Sequence, residues 1–449
     1  MAKKKTKSKA TRMGNLMSSA KKGHQYNVGA GGNVFDPNMS HVRGVRLPSL
    51  GLMYMFGFSA LRDSCTVLID GKTGSSKSSL AIDMFNWGLP YAAAGAIIDT
   101  ENKAAFDIAN GMLNDMSLYL PGHLHMKATL SVEETQAAIA EEVARCRDMN
   151  GIKSKPKKKA KSKAKQTKAQ TTAAEEEEEA NKKRDEDELA RDDQIPFIVI
   201  TDSLAAAASE ETKAHIQKQG HADRGHGGRV EALLWSIWLK EHEASIADLP
   251  FISVFVNHVK EKQEQKGART VSTEINPGGV AQNYATTIQI RCSGGKQFIS
   301  NAVDGISYQD IYLKCVKNSR GPTGLSTVVR KCSKRNEDGS TTFWWDWGRC
   351  TAMYLGELSG KHPARQICPV TKVSDTKYTC KTVGMDKEDP GTVGDAIHAK
   401  PELVEELIKA NRIYNLREFT KLSDEEFQHL TGEAAAAKEA YLAQLAEEI

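Results

Sequence analysis

CTVLIDGKTGSSKSSLAIDMFNWGL, residues 65–89, is the stretch on which the fold turns. CTVLID (65–70) is a short apolar run closed by Gly71, the pattern of a buried strand. SSLAIDMFNWGL (78–89) reads as a helix. Between them lie Gly71, Lys72, Thr73, Gly74, Ser75, Ser76, Lys77, Ser78 and Ser79. A strand, a Gly- and Ser-rich turn and a helix, in that order, form the context of the phosphate-binding pattern G-x-x-x-x-G-K-[ST]. Gly71, Lys77 and Ser78 fit it, and Ser76 stands where the pattern has its second glycine. Most of the physics survives that change, because backbone N–H groups of the turn and of the helix N-terminus cradle the phosphates. Lys77 is expected to reach the β- and γ-phosphates of ATP and the Ser78 hydroxyl to ligate Mg²⁺. Ser76 must adopt a conformation that glycine reaches more easily. Taken alone, the same residues also describe a strand-to-helix turn with a chance lysine.

Outward from this loop the chain keeps alternating. GAIIDTEN (95–102) is a second buried run with acids at its end, and GHLHMKATL (122–130) is a weaker third. SVEETQAAIAEEVARCRDM (131–149) is helical, with Ser131 and Glu134 spaced as a capping box. PFIVITDSLAAA (196–207) and PFISVFVNHV (250–259) are further buried strands, separated by the amphipathic helix GGRVEALLWSIWLKEHEASI (227–246). AQNYATTIQIRC and DIYLKCVKNS read as strands of a following sheet, and STVVRKCSK with STTFWWDWG as a terminal hairpin. Residues 261–279 are polar and contain glycine, the texture of a mobile loop. PELVEELIKANRI (401–413) is a helix of a small C-terminal region. Strands alternating with helices predict an α/β fold with a mostly parallel central sheet, whose ligands sit at the carboxyl ends of the strands.

The residues that follow each buried run are therefore the site candidates. Asp202 follows FIVIT, where a carboxylate can hold Mg²⁺ through water. Glu101 ends the neighbouring run and can accept a proton from an attacking water, with Asp99 as the competing choice. The bland alternative for each acid is a helix N-cap. Asn257 and His258 end a third buried run, as a γ-phosphate sensor or as a solvated strand end.

The 449 residues are ample for a large core, with 40% hydrophobic residues and a net charge of +4. No apolar run approaches the ~20 residues that span a membrane, and the basic start MAKKKTKSKATRMG has no apolar stretch behind it. Eight cysteines with no C-x-x-C spacing give neither a disulfide framework nor a zinc site. These features predict a soluble protein of a reducing, cytoplasmic compartment. The small net charge hides large blocks: eight Lys/Arg and no acid in 1–22, nine Lys in 153–168, five consecutive Glu at 175–179, and eleven acids against five bases in 401–449. Such blocks are solvated segments first, and the basic ones add salt-sensitive attraction to phosphates.

With these motifs in place the chain resembles the RecA-type recombinases, most closely their bacteriophage UvsX-like branch. The resemblance covers roughly 48–350, interrupted at 151–193 by the charged low-complexity insertion. It implies a RecA-like P-loop ATPase core, a basic N-terminal arm over 1–47, and a small α/β or helical C-terminal domain with an acidic tail over 351–449. GKTGSSKSS resembles the Walker A loop, IIDTEN the strand bearing the catalytic glutamate (Glu101), IVITDSLAAA the Walker B strand (Asp202), and FVNHVKEK the strand of the γ-phosphate sensor, where His258 replaces the bacterial Gln. LKCVKNSRGP resembles the strand end whose cations, here Lys317 and Arg320, reach ATP on the neighbouring protomer; Arg320 is offset by one from the bacterial pattern. EINPGGVAQNYATTIQIR resembles the segment closing the second DNA-binding loop, with Gly278 and Gly279 in it. The two DNA loops would be 209–228 and 261–279, with Arg224, Arg229, Lys260, Lys262, Lys266 and Arg269 as phosphate contacts. Phe106 would cover adenine. The implied function is ATP-dependent filament formation on single-stranded DNA, then pairing with homologous double-stranded DNA and strand exchange, in recombination and repair within a bacterial host. Single-strand-binding and mediator proteins are further implied partners. Two rivals share the loop and acids: a hexameric helicase or motor of the same fold, and a weakly hydrolysing DNA-coating filament protein.

Overall fold

The computed structural model describes residues 43–102, 111–113, 123–152, 194–219, 227–266, 269–275, 282, 285–299, 306–336, 339, 341–429, 432 and 436. In chain order the first elements are β1 (Arg43–Arg46), α1 (Leu50–Phe56), β2 (Ala60–Arg62), β3 (Cys65–Gly71), α2 (Lys77–Gly88), β4 (Ala94–Asp99), β5 (Leu124–Ala128) and α3 (Val132–Met149). Then come β6 (Phe197–Asp202), α4 (Glu210–Gln219), α5 (Gly227–Ile246), β7 (Phe251–His258), and the paired strands β8 (Lys260–Lys266) and β9 (Arg269–Ile275). Four long strands follow, β10 (Ile288–Ile299), β11 (Ile306–Asn318), β12 (Ser326–Arg335) and β13 (Thr341–Asp346). The C-terminal region holds α6 (Trp347–Glu357), α7 (Pro363–Ile367), β14 (Val370–Ser374), β15 (Lys377–Cys380), β16 (Met385–Glu388), α8 (Pro390–His398), α9 (Pro401–Ala410) and β17 (Arg417–Glu418).

Nine strands form one sheet in the order β13-β12-β11-β10-β3-β7-β6-β4-β5. The six from β10 to β5 are mutually parallel, and β11, β12 and β13 continue the sheet antiparallel. The chain is thus α/β with a large, mostly parallel central sheet. Parallel strands buried on both faces need continuous apolar runs, which CTVLIDG, AGAIID, FIVITD and FISVFVNH supply. On one face α3 and α5 cover the sheet: Ile139, Val143, Trp235 and Leu239 join Phe197, Val199, Phe251 and Phe255 in a core cluster. Each such side chain, fully buried, contributes about 1.5–3 kcal/mol. Leu80, Ala81, Met84 and Phe85 of α2 are buried too, and α2 packs against β6 and β7. Gly95 is a position where β4 and β6 leave no room for a side chain, since a Cβ there would lie 1.8 Å from the Ile198 carbonyl oxygen.

α3 starts as its sequence predicts. The Ser131 hydroxyl accepts from the Glu134 N–H, and the Glu134 carboxylate accepts from the Ser131 N–H, which satisfies two orphan donors of the first turn. Two segments predicted as loops contain regular structure instead. Residues 260–275 form an antiparallel hairpin, with Lys260 opposite Ile275 and Lys266 opposite Arg269. The β-branched run TVSTEI supplies strand propensity that the polar partner KEKQEQK conceals. Within 209–228, α4 forms because Ser209 caps it, its hydroxyl accepting from the Thr212 N–H, and Glu210 and Glu211 occupy the first turn.

The C-terminal region returns to the start of the core. β17 pairs with β1, and Arg46 reaches both Glu405 (3.1 Å) and Glu418 (3.0 Å). α6 begins at Asp346, whose carboxylate accepts from the Arg349 N–H (2.8 Å), and packs against α1 and α8. The described residues from Arg43 onward belong to one compact unit. No helix among the described residues is long and apolar enough to cross a membrane.

Candidate functional site

Parallel register brings four strand ends side by side. Gly71 of β3 lies opposite His258 of β7, and Asp202 of β6 lies between Val256 of β7 and Asp99 of β4. The turn from Gly71 to Lys77 curls around one carbonyl. The Lys72 oxygen accepts from the Ser75 hydroxyl (2.7 Å), the Ser75 N–H (3.3 Å) and the Lys77 ammonium (2.8 Å). Gly71 is required by close approach, because a Cβ would meet the Cys292 carbonyl oxygen at 2.3 Å and the Ser75 hydroxyl at 2.8 Å. Ser76 takes the left-handed conformation (φ 59°, ψ 30°) expected of the missing glycine and makes no side-chain cap bond to α2. The first turn of α2 carries no acid, so its N-terminal N–H groups favour an anion. Lys77 is buried, and burial lowers its pKa; Asp202, Glu101 and Asp70 oppose that shift.

Beside the loop stands an acidic group with two distinct environments. Asp202 is pushed up to about 6, chiefly by burial and further by Glu101 and Asp99, against the Ser78 hydroxyl that bonds it and the nearby His258. Glu101 accepts from the Ser203 hydroxyl (2.8 Å) and stands 3.0 Å from His258 Nε2. Thr100 ties the two strand ends together: its hydroxyl donates to the Ser203 carbonyl (2.7 Å) and lies 2.7 Å from the Ser203 nitrogen. Asp99 accepts the Glu101 N–H (2.9 Å) and so shapes the turn that presents Glu101. Behind His258, the buried Asn257 holds the His258 N–H (2.8 Å) and donates to Gln282 (2.7 Å). His258 Nδ1 is buried and has no hydrogen-bond partner among the described residues. A glycine-backed anion cradle, a lysine and a hydroxyl bonded to a carboxylate have the chemistry to accommodate a metal–phosphate ligand.

A cavity of about 140 Å³ opens one turn along α2 from the loop, lined by Ser79, Asp83, Met112, Lys331, Trp344 and Trp345 among others. Lys331 donates to the Ser79 hydroxyl (2.7 Å), and Asp83 accepts from the indoles of Trp87 (2.8 Å) and Trp347 (3.0 Å). Burial pushes Asp83 up to about 6. Sequence reasoning read FWWDW as a plain hairpin strand and missed this aromatic wall; its signal was five residues with four aromatics beyond the last core strand.

No protein-family model matches the chain, and a search of curated proteins gives no match.

The remaining candidates divide. Lys317 and Arg320 lie away from the loop of their own chain. Asn318 pairs with Ile288, which pairs with Val67, four residues before Gly71, so this end of β11 sits about 13 Å along the strands from the loop. Lys317 donates to the Thr286 carbonyl, and burial lowers its pKa against the pull of Glu243. Arg320 is exposed just past the strand. Lys260, Lys262, Lys266 and Arg269 all belong to the β8–β9 hairpin, which starts two residues after His258, and Arg229 lies in the first turn of α5. Phe106, Arg224, Gly278 and Gly279 lie outside the described residues.

Proposed function

We propose that the chain is an ATPase of RecA type that polymerises on single-stranded DNA and promotes pairing and strand exchange with homologous duplex. The observation that carries this reading is the convergence of Lys77 and Ser78, at the start of α2, with Asp202, Glu101 and His258 at the ends of neighbouring parallel strands. Ser78 and, through water, Asp202 would hold Mg²⁺, which supplies charge neutralisation at the phosphate oxygens. Lys77 and the loop N–H groups balance the γ-phosphate charge, and Glu101 takes the proton of the attacking water as ADP departs. The aromatic cavity beyond Ser79 receives the base. His258 contacts Glu101 and ends the strand that leads into the β8–β9 hairpin, which carries Lys260, Lys262, Lys266 and Arg269, so the state of the γ-phosphate has a short path to candidate DNA-phosphate contacts.

Steady-state ATP hydrolysis with and without single-stranded DNA, at low salt, tests this. DNA-stimulated turnover that Lys77→Ala abolishes is the expected result. Nucleotide binding without turnover would favour the DNA-coating filament, and rings instead of filaments in negative-stain images would favour the helicase.

The separation of Lys317 from its own loop supports a site shared between protomers. Lys77→Ala and Lys317→Ala are each expected to be inactive, while an equimolar mixture regains about a quarter of the activity, because half the loops are intact and half of those face an intact lysine. A mixture as inactive as its parents would remove the shared site.

A further inference from the structure

The loop departs from its pattern at Ser76, and the molecule answers that departure from outside the parallel core. Ser76 Oγ donates to Gln309 Oε1 of β11, at a long 3.4 Å. The same amide is oriented by its other end, since Gln309 Nε2 donates to the Gly295 carbonyl of β10 at 3.0 Å. The ladder between β10 and β11 is irregular here, shifting between Gly294 and Gln297, beside the loop. A Cβ at Gly294 would lie 3.1 Å from Gln309 Nε2 and 3.2 Å from the Gly74 carbonyl oxygen. The next residue along, Asp310, accepts from Arg330 Nε at 2.7 Å and Nη2 at 2.9 Å, which fixes β11 against β12 at this height. Ser76 makes no side-chain bond to α2, so its hydroxyl is turned to this contact and not to capping the helix.

We infer that Gln309 is a positioning residue for the phosphate loop, holding Ser76 in the left-handed conformation that glycine adopts unaided and so aiming Lys77 and the first N–H groups of α2 at the nucleotide. Left-handed backbone is unfavourable for a residue with a Cβ unless its surroundings enforce it. A serine offers what glycine lacks, a hydroxyl by which a neighbouring strand can enforce it. The effect falls on ground-state capture of the phosphates, because Gln309 touches neither the attacking water nor Glu101. The part concerning ATP rests on the function proposed above; the coupling between Gln309 and Ser76 does not.

A double-mutant cycle on the full chain tests both parts. Gln309→Met keeps the bulk and removes both amide bonds. It is expected to raise KM for ATP by about fivefold with kcat within twofold, the size of one lost hydrogen bond. Ser76→Gly removes the need for the clamp, so Gln309→Met in that background should shift KM less than twofold. Thermal unfolding without nucleotide is the second readout: Gln309→Met should lower Tm by more in the Ser76 chain than in the Ser76→Gly chain, where only the bond to the Gly295 carbonyl is lost. Equal losses in both backgrounds, in KM and in Tm, would overturn the inference, because Gln309 would then act on the sheet and not through Ser76. Coupled losses in Tm alone, with no ATP binding by the parent chain or dependence on Lys77, would retain the clamp and overturn the nucleotide reading.

Discussion

Glu101→Gln is expected to lower ATP turnover by about 10²–10⁴-fold while leaving nucleotide and DNA binding intact, the range lost with a general base. Glutamine keeps the shape of the side chain and an oxygen to accept the Ser203 hydroxyl, which lies 2.8 Å from Glu101 Oε1. It removes the carboxylate that can take the proton of water. Asp99 is the other acid on this strand end, and its geometry decides against it: Asp99 is buried and its carboxylate accepts the Glu101 N–H, so it shapes the turn. The corresponding Asp99→Asn is therefore expected to be the milder variant. Single-turnover hydrolysis, with a filter-binding measurement of DNA affinity in ATP, separates the two steps. Turnover of Glu101→Gln within threefold of the parent would move the base elsewhere. A loss of DNA binding alongside turnover would show that the carboxylate organises the site through His258, which lies 3.0 Å away, beyond any role with water.

The parts of this site legible in the sequence are those set by local rules. A parallel strand buried on both faces must be an apolar run, so CTVLID, AIID, FIVIT and FISVFV announce themselves, and the residue after each run must stand at the carboxyl edge. Gly71, Glu101, Asp202 and His258 could be named for that reason. The Ser131–Glu134 capping box is equally local. What stayed hidden depends on partners distant in sequence. The insertion of β6 and β7 between β3 and β4 is fixed by sheet packing, which no window of residues encodes. The β8–β9 hairpin reads as a loop because its first strand is wholly polar, and polarity says nothing about pairing. Gln309 and Trp345 meet the loop and its helix only because β11 to β13 fold back beside the parallel strands. The return of β17 to β1 joins residues more than 370 apart, so the edge of a separate C-terminal domain could not be read from composition.

Asp202→Asn is expected to move stability and turnover in opposite directions. Burial, with Glu101 and Asp99 adding to it, raises the Asp202 pKa from 3.8 to about 6. The folded chain therefore binds this proton more tightly than the unfolded chain does. Below about pH 4 the group is protonated in both states and costs nothing. Between about pH 4 and 6 the unfolded chain loses the proton first, and stability falls as pH rises; above 6 the full cost remains, on the order of 3 kcal/mol for a shift of this size. Asparagine carries no charge to bury and can still accept the Ser78 hydroxyl. At pH 7.5, without metal, Asp202→Asn should melt several degrees above the parent, and at pH 4 the two should melt together. Turnover should fall by about 10–100-fold or more, since a partner that orients a metal ligand has been weakened. Melting curves at the two pH values, followed by hydrolysis over a Mg²⁺ titration, check both halves. A variant less stable than the parent at pH 7.5 would mean that Asp202 is ionised at a profit, held by Lys77 and His258 more strongly than burial opposes it. A strand end that sacrifices stability to keep a charge is what a metal-dependent site requires, and an Asp202 that served only as a helix cap would gain nothing from that sacrifice.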